Sequence, residues 1–388
     1  MTSRGPPMRA PDPFATATPL NRREVVRALM PFTRRSTAKG VSLVAVELAL
    51  YWLAILGVLY LPGWGWKIAA SLFAGMRLGS FVVLGHDAAH GALTPHKRLN
   101  WLLGVAAFTT CFYNYRMWIY DHHVQHHSST NHEHKDTYTP MTKAEFDALP
   151  RWRQLQQRFY RRPSFVSFAV YYIVERWSQA KVLPLPYVGA SYRPAAWKHF
   201  AFLATYIALF TAALVLAPAY ANVTTAQALL LGMLLPFFVF MGIQSYVLWS
   251  MHTLPDVGWF RPGLSPSYIG SAGELVSVHV AFPRWLELAT HGITNHPVHH
   301  LLPAIPIYNL AKAQAKYEAL VGPLNVKHPF SLAGLVDTAN RCKLYDFDQN
   351  RWLDFEGNPT GTLTRPFCHP ERVAQYLGKE TVTNSLTA

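Results

Sequence analysis

Charged residues are scarce in this sequence. Asp, Glu, Lys and Arg together make up 14% of its 388 residues, whereas 51% are hydrophobic. Because soluble globular domains contain about 25% charged residues, the composition favours a polytopic membrane domain with soluble extensions over one or two soluble domains. The few charges are mainly basic, with 35 Lys and Arg against 21 Asp and Glu. They lie beside long apolar runs, which is typical of the cytoplasmic segments of a membrane protein and not of a nucleic-acid-binding surface.

Cysteine is nearly absent as well. The three cysteines, Cys111, Cys342 and Cys368, are far apart and form no CxxC pair, which argues against a disulfide framework and against a thiolate metal site. The N-terminus has no short apolar core followed by a cleavage site, so residues 1–40, rich in Pro and Arg, are predicted to form a cytoplasmic arm.

Four apolar runs are long enough to be transmembrane helices, which need about 20 residues to cross the hydrocarbon core. They are residues 41–61, 68–84, 200–216 and 228–249. Two shorter apolar segments, 99–112 and 165–177, are predicted as interfacial helices or as helices packed inside a cap.

The distribution of Lys and Arg predicts the orientation. Residues 1–40 contain eight of them and residues 91–196 contain 13, whereas residues 217–227 contain none. The positive-inside rule therefore places the N-terminus, the 91–196 segment and the chain after about residue 249 in the cytoplasm. Every histidine cluster falls on that side.

Three histidine clusters have the i, i+3, i+4 spacing of one helical face. They are His86 and His90 in GHDAAH, His123, His126 and His127 in HVQHH, and His296, His299 and His300 in HPVHH. Eight imidazoles without thiolates are too many for one tetrahedral zinc site and suit two ions among zinc, copper, iron and nickel. His252, at the end of the fourth apolar run, is a ninth candidate ligand.

Polar residues near the clusters are candidates to orient the ligands, because a ligating histidine normally donates its other ring N–H to a carboxylate or carbonyl oxygen. The candidates are Asp87, Asp121, Asn131, Asp136, His291 and Asn295. His122, His132 and His134 flank the second cluster off its ligand face and are predicted to be outer or surface groups.

The clusters and their surroundings resemble the integral-membrane fatty acid desaturases, which have three histidine boxes, HxxxH, HxxHH and HxxHH. The segments GHDAAHGAL, HHSSTNHEHKDTYTP and HPVHHLLPAIPIYNL are similar to the acyl-lipid branch, with its omega-6 and omega-3 types. The similarity covers roughly residues 40–320. It predicts an arm at 1–40, a desaturase domain at 41–320 and a cytoplasmic tail at 321–388.

The resemblance implies an all-α integral membrane fold, in which four transmembrane helices carry a cytosolic helical cap that holds two irons. It implies the eight box histidines as ligands and, less directly, His252. In the acyl-CoA branch an Asn one helical turn before this last histidine holds a water, and here that position is Leu248.

The implied reaction is O2-dependent desaturation of a membrane lipid acyl chain at the di-iron centre, with no separate protein base. The chain has no HPGG-type haem motif, and three cysteines are too few for an iron–sulfur cluster. Electrons are therefore expected from a separate protein, ferredoxin-like or cytochrome b5-like. The inner or plasma membrane is the expected location, and nucleic acid is not an expected partner.

Two other functions are considered. A lipid hydroxylase or carotenoid ketolase uses the same oxidant but inserts oxygen. A metal transporter would place histidines or carboxylates near the bilayer midplane, where the apolar runs contain only Glu47 and Arg77 as ionisable residues.

Overall fold

A computed structural model describes residues 21–133, 136, 139–185, 188–261, 272–361 and 370–378 of the chain. His134, Cys368 and the first half of the predicted arm, residues 1–20, lie outside the described residues. Helices make up most of the described chain, as the sequence predicted.

Sixteen α-helices lie in the described residues, and three of them continue into π-helical segments. The α-helices are α1 (Arg22–Leu29), α2 (Thr37–Tyr60), α3 (Gly63–Ala89), α4 (Lys97–Thr110), α5 (Tyr115–Ile119), α6 (Lys143–Ala148), α7 (Arg151–Tyr160), α8 (Phe165–Tyr171), α9 (Arg193–Leu216), α10 (Thr225–Leu229), α11 (Leu235–Ser250), α12 (Arg284–Ala289), α13 (His296–Leu301), α14 (Ile307–Val321), α15 (Leu332–Arg341) and α16 (Pro370–Leu377). The π-helical segments are Tyr120–His126 after α5, Tyr172–Val182 after α8 and Leu230–Leu234 between α10 and α11.

Four helices are long and apolar enough to cross a membrane, which confirms the predicted number of spans. They are Thr37–Tyr60, Gly63–Ala89, Arg193–Ala219 and Thr225–Ser250, the last formed by α10, the π-helical turn and α11. Each covers one of the predicted apolar runs, except that the first helix ends one residue before its run does, and each extends beyond its run at one end or both. The second span extends beyond its run because α3 continues into the first histidine cluster.

The second span lies at the centre of the membrane part, between α2, α4 and α11. Its Gly75 permits close packing, since a Cβ there would lie 2.6 Å from the Cβ of Val239 in α11. Arg77 of α3 donates to both carboxylate oxygens of Glu47 in α2 at 3.2 Å. The two ionisable residues of the apolar runs are therefore paired with each other.

Two short sheets depart from the expected all-α fold. Strands β1 (Val278–Ala281) and β2 (Val326–Pro329) are parallel, with Val278 opposite Val326. Strands β3 (Leu344–Asp346) and β4 (Arg351–Leu353) form an antiparallel pair. The first sheet has alternating buried positions and contains β-branched Val278, Val280 and Val326, which favour extended backbone on a half-buried surface.

The two ends of the described chain meet at one buried carboxylate. Arg22, at the start of α1, and Tyr376, in α16, both donate to Glu274. Glu274 lies in a short turn that packs against α13. Residues on both sides of the family-like segment therefore pack against the part of the chain that carries the third histidine cluster.

Candidate metal centre

The first histidine pair lies where the second span ends. His86 is in the last turn of α3 and His90 caps its C-terminus. Their ring centroids are 4.7 Å apart, as expected for side chains one helical turn apart. This end of the span thus brings two imidazoles close to the other histidine clusters.

The second cluster lies on the π-helical segment Tyr120–His126, which changes the face that each residue occupies. A π-helix has i→i+5 hydrogen bonds, and here the backbone N–H of His127 donates to the carbonyl of His122 at 2.9 Å. This register brings the Nε2 atoms of His122 and His127 to 3.1 Å from each other. His122, predicted to be an outer or surface residue, therefore lies beside the candidate ligands.

The third cluster supplies three of the six residues of α13. These residues, His296, His299 and His300, are all buried. Pro297 occupies the first turn, where its missing N–H costs no helical hydrogen bond. The amide of Gln314 in α14 accepts from the backbone N–H of Val298 at 3.1 Å and so holds this short helix in place.

The histidines from these elements form two groups. Within each group the nearest ring nitrogens all lie within 4.8 Å of one another. The five-histidine group is His86, His90, His122, His127 and His299, and the four-histidine group is His126, His252, His296 and His300. Eight of the nine predicted ligands thus lie in the two groups, and the ninth, His123, lies outside them.

His123 is nevertheless close to the five-histidine group. Its ring centroid is 4.1 Å from that of His90, and its buried Nε2 has no hydrogen-bond partner among the described residues. With His123, six imidazoles lie around this position. Five of them have ring nitrogens that all lie within 4.8 Å of one another.

The unpaired ring nitrogens fit a metal site. Both nitrogens of His86, Nε2 of His90 and Nδ1 of His252 and His296 are buried without a hydrogen-bond partner in the described part of the chain. Buried polar atoms normally have partners. The Nε2 atoms of His252 and His296 face each other at 2.8 Å. Convergent imidazole nitrogens, several of them on rings with a nitrogen that has no partner among the described residues, are the arrangement expected around a cation that imidazole binds.

The protonation state of these histidines also suits ligation. Burial is the main reason that the pKa of His123 is lowered to about 4 and that of His299 to about 3. Burial first, and then neighbouring histidines, lower the pKa well below its ordinary value in His122, His127, His252, His296 and His300. Imidazoles that are neutral at pH 7 can bind a metal without first losing a proton.

Asp136 contacts the four-histidine group directly. Its carboxylate oxygens lie 3.1 and 3.2 Å from Nδ1 of His126 and accept the backbone N–H of Asn131 at 2.7 Å. Burial alone would raise the pKa of Asp136, but His126 and this backbone N–H lower it below its usual value. A carboxylate on Nδ1 directs Nε2 of His126 toward the metal position.

Asp121 lies near the histidines but pairs with cations. It accepts hydrogen bonds from Lys181 and, at 2.9 Å, from Arg176. These two cations offset the effect of burial and lower the pKa of Asp121. Asp121 thus remains a buried carboxylate beside the five-histidine group.

The other predicted orienting residues hold backbone segments. Asp87 accepts the backbone N–H of Ile307 at 3.1 Å. Asn131, with φ at 56°, donates to the carbonyl of Gly258 at 3.0 Å, and Asn295 donates to that of Gly292 at 2.8 Å. Nε2 of His291 lies 3.0 Å from Glu47 of the first span. Among the described residues these four side chains support the loops and helix ends around the histidines.

A cavity of about 40 Å³ borders both groups, and we call it the metal-side cavity. His86, His122, His126 and His296 line one part of it, and Val247 and Leu248 of the fourth span line another. Gln244, one helical turn before Leu248, also lines it. Gln244 was not predicted as a site residue, because a single amide in an apolar run belongs to no motif.

Comparison with known proteins identifies a family. A family model described as fatty acid desaturase matches residues 62–330. The chain is 27% identical to an sn-1 oleoyl-lipid 12-desaturase of Synechocystis sp. over 314 residues, 80% of this chain and 85% of the relative. It is 25% identical to a chloroplastic omega-6 fatty acid desaturase of Spinacia oleracea, over 86% of this chain and 70% of the relative. It is 25% identical to a fatty acid desaturase of Bacillus subtilis, over 90% of this chain and 94% of the relative.

Proposed function

The chain belongs to the fatty acid desaturase family, and from this premise we propose that it is an acyl-lipid desaturase that uses O2. The overall change converts a –CH2–CH2– unit of an acyl chain to –CH=CH–. O2, two electrons and two protons are consumed, and two waters are released. The two electrons and the two hydrogens of the acyl chain together reduce O2 fully, so the reaction balances.

The observation that carries this proposal is the pair of buried histidine groups at the ends of the second and fourth spans. We propose that each group holds one iron ion. Iron held by imidazoles supplies the reduction of O2 and the removal of hydrogen from an unactivated methylene. The protein itself contributes binding, orientation and the exclusion of water.

The two irons would be neighbours, because residues adjacent in sequence belong to different groups. His126 and His127 divide between the groups, and so do His299 and His300. We propose His252 and the eight box histidines, including His123, as the ligands. His122 is then a further imidazole at the five-histidine group. Asp136 holds the proton on Nδ1 of His126, so that Nε2 remains available.

The walls of the metal-side cavity suit an acyl chain. Val82, Val247, Leu248 and Met251 give it apolar surface beside the histidines. Water is excluded where aliphatic side chains fill the space, and this protects a strong oxidant from side reactions. Hydroxylation or ketolation would use the same groups, so the product distinguishes these activities.

We also propose that the histidine side of the molecule faces the cytoplasm of an inner or plasma membrane. The excess of Lys and Arg in residues 1–40 and 91–196 supports this orientation. A separate ferredoxin-like or cytochrome b5-like protein is the proposed electron donor, because three cysteines are fewer than the four thiolates that an iron–sulfur cluster usually takes.

The test is the fatty acid profile of host cells that express the chain, with a matched His126→Ala variant, by gas chromatography with double-bond location. We expect a new unsaturated species that the variant does not make, and about two irons per chain in the purified protein. Hydroxy acids or oxidised carotenoids as products, or an iron-free protein that is still active, would contradict the proposal.

A further inference from the structure

Three basic residues lie together outside the metal-side cavity. Nε of Arg161, just after α7, donates to the carbonyl of Lys343 at 3.2 Å, and Nζ of Lys343 donates to the carbonyl of Arg161 at 2.8 Å. Arg162 follows in sequence and is exposed. We call Arg161, Arg162 and Lys343 the basic cluster. Two distant segments of the chain thus hold each other's cations side by side.

No residue of the basic cluster forms a salt bridge in the part of the chain that the structure describes. Its neighbours on α7 do, since Arg153 pairs with Glu175 at 3.0 Å and Arg158 pairs with Glu356 at 3.1 Å. Burial, followed by the charge of Arg161, lowers the pKa of Lys343 to about 8. Glu175, which pairs with Arg153, also stabilises the charge of Arg161, but cations held side by side repel each other. An anion that binds between them would relieve this repulsion.

A small cavity with both polar and apolar walls lies against the cluster. Arg161 and Arg162 line it together with Ser245 and Thr253, and its volume is about 40 Å³. Ser245 is 2% exposed, and its hydroxyl has no hydrogen-bond partner among the described residues. A buried hydroxyl normally has a partner, so this cavity offers an unused hydrogen-bonding group beside guanidinium groups that form no salt bridge among the described residues.

A larger apolar cavity, of about 500 Å³, lies next to this small cavity. Phe168 of α8 lines both cavities. Gly79 of the second span and Gly242 of the fourth span line the apolar cavity, and a Cβ at Gly242 would clash with the ring of Phe165. Because both spans form its wall, this cavity lies at membrane depth. Its size is within the range of ligand pockets, about 300–1,000 Å³.

The surroundings of the apolar cavity also suit lipid. Leu332 lines it and is 73% exposed, and Leu288, in the adjoining helix α12, is 68% exposed. Large apolar side chains exposed at one site mark contact with a membrane or a partner. Val247 lines both this cavity and the metal-side cavity. The cavities therefore follow one another from the basic cluster, past Phe168 and Val247, to the histidines.

We propose that the basic cluster binds the phosphate of a membrane phospholipid whose acyl chain lies in the apolar cavity. This inference rests on the proposed function, because it names the lipid class that the desaturase takes. A guanidinium group binds phosphate through two parallel hydrogen bonds. Arg161 and Lys343 hold the phosphate, the exposed Arg162 adds charge, and the Ser245 hydroxyl donates to a headgroup oxygen.

The test is the equilibrium binding of lipids to the purified full-length protein, measured without turnover. Phosphatidylglycerol and diacylglycerol with identical acyl chains are compared, since they differ in the phosphate-bearing headgroup. We expect phosphatidylglycerol to bind about tenfold more tightly, the order of one charge-assisted hydrogen bond. An Arg161→Gln, Lys343→Gln double variant removes this preference but still binds diacylglycerol, which shows that it is folded.

The matched control is Arg158→Gln, on the same helix but paired with Glu356, and it should keep the preference. Arg161→Lys in the Lys343→Gln background should restore part of it. Inorganic phosphate that competes with phosphatidylglycerol only at much higher concentration would agree with a lipid headgroup site, and competition at equal concentration would instead indicate a site for free phosphate.

Equal affinity of the unsubstituted protein for the two lipids would overturn the inference. So would a preference that survives in the double variant, or tighter binding of an acyl-CoA than of the phospholipid. Because binding is read without electrons or O2, a protein that makes no unsaturated product still reports on the site. Failure of the proposed function and failure of this inference are therefore distinguishable.

Discussion

His122 and His123 are adjacent in sequence but relate differently to the five-histidine group. Nε2 of His122 faces His127, and the His122 ring stacks on Trp118 with centroids 4.4 Å apart. Nε2 of His123 is buried without a partner among the described residues. The His122 ring therefore already has contacts with Trp118 and His127, whereas leaving the buried nitrogen of His123 unpaired costs free energy.

We predict that His123→Ala removes about one iron per chain, while His122→Ala keeps most of both. The lost imidazole at position 123 is the ligand, whereas at position 122 a stacking contact is lost. Iron is measured in the purified variants by mass spectrometry of the metal, with folding checked by size exclusion. Greater iron loss from His122→Ala than from His123→Ala would assign the ligand to His122 instead.

Helical spacing predicted most of the candidate site at this scale. Of the eight histidines that it identified, the fold brings seven into the two groups, and His123 lies beside them. It could not place His122, because the π-helical register pairs residues five apart and the sequence shows no sign of that register. Asn295 and His291 were predicted near the ligands for their position in sequence, but their contacts are with Gly292 and Glu47, which only the folded loop brings close.

Helix ends show a similar limit at the scale of elements. The apolar run 41–61 predicted the first span, but the helix begins at Thr37, where the Ser36 side chain accepts the backbone N–H of Lys39. Hydropathy reports only the part of a helix that lies in lipid. The two sheets escaped prediction because strands of three or four residues are too short for a periodic signal.

The ion pair between the first two spans has a structural role that the sequence did not reveal. Glu47 and Arg77 are 4% and 8% exposed, and Nε2 of His291, in the loop before α13, lies 3.0 Å from Glu47. The hydroxyl of Ser80 in α3 donates to the carbonyl of Ala289, the last residue of α12. The pair thus joins α2, α3 and the segment that leads to the third histidine cluster.

We predict that Arg77→Met alone destabilises the protein more than the double change Glu47→Leu, Arg77→Leu. Removing one partner leaves an unpaired buried charge and costs about 3–5 kcal/mol, whereas replacing both by apolar residues is often close to neutral. Thermal unfolding in detergent gives the order of stability. Arg34→Met, at an exposed position, is the control and should have little effect. A double variant less stable than Arg77→Met would refute this account.

At the scale of the whole molecule, the candidate metal centre and the basic segments are expected on the same side. The histidine groups lie at one end of the spans, and the basic segments 91–196 and 1–40 are predicted on that same side. With a net charge of +14, the protein would attract an acidic electron donor before contact. Such attraction raises the association rate more than it raises the rate of the chemical step.

This arrangement predicts how salt affects turnover with a separate donor. With an acidic reduced ferredoxin as the probe, we expect the half-saturating donor concentration to rise several-fold between about 0.05 and 0.3 M salt, because the Debye length falls below about 10 Å above 0.1 M. The maximal rate should change little, since screening acts on encounter. Turnover driven by a small uncharged reductant is the control and should not respond. If salt leaves the half-saturating concentration unchanged, electrons enter through a surface that does not depend on the basic charge.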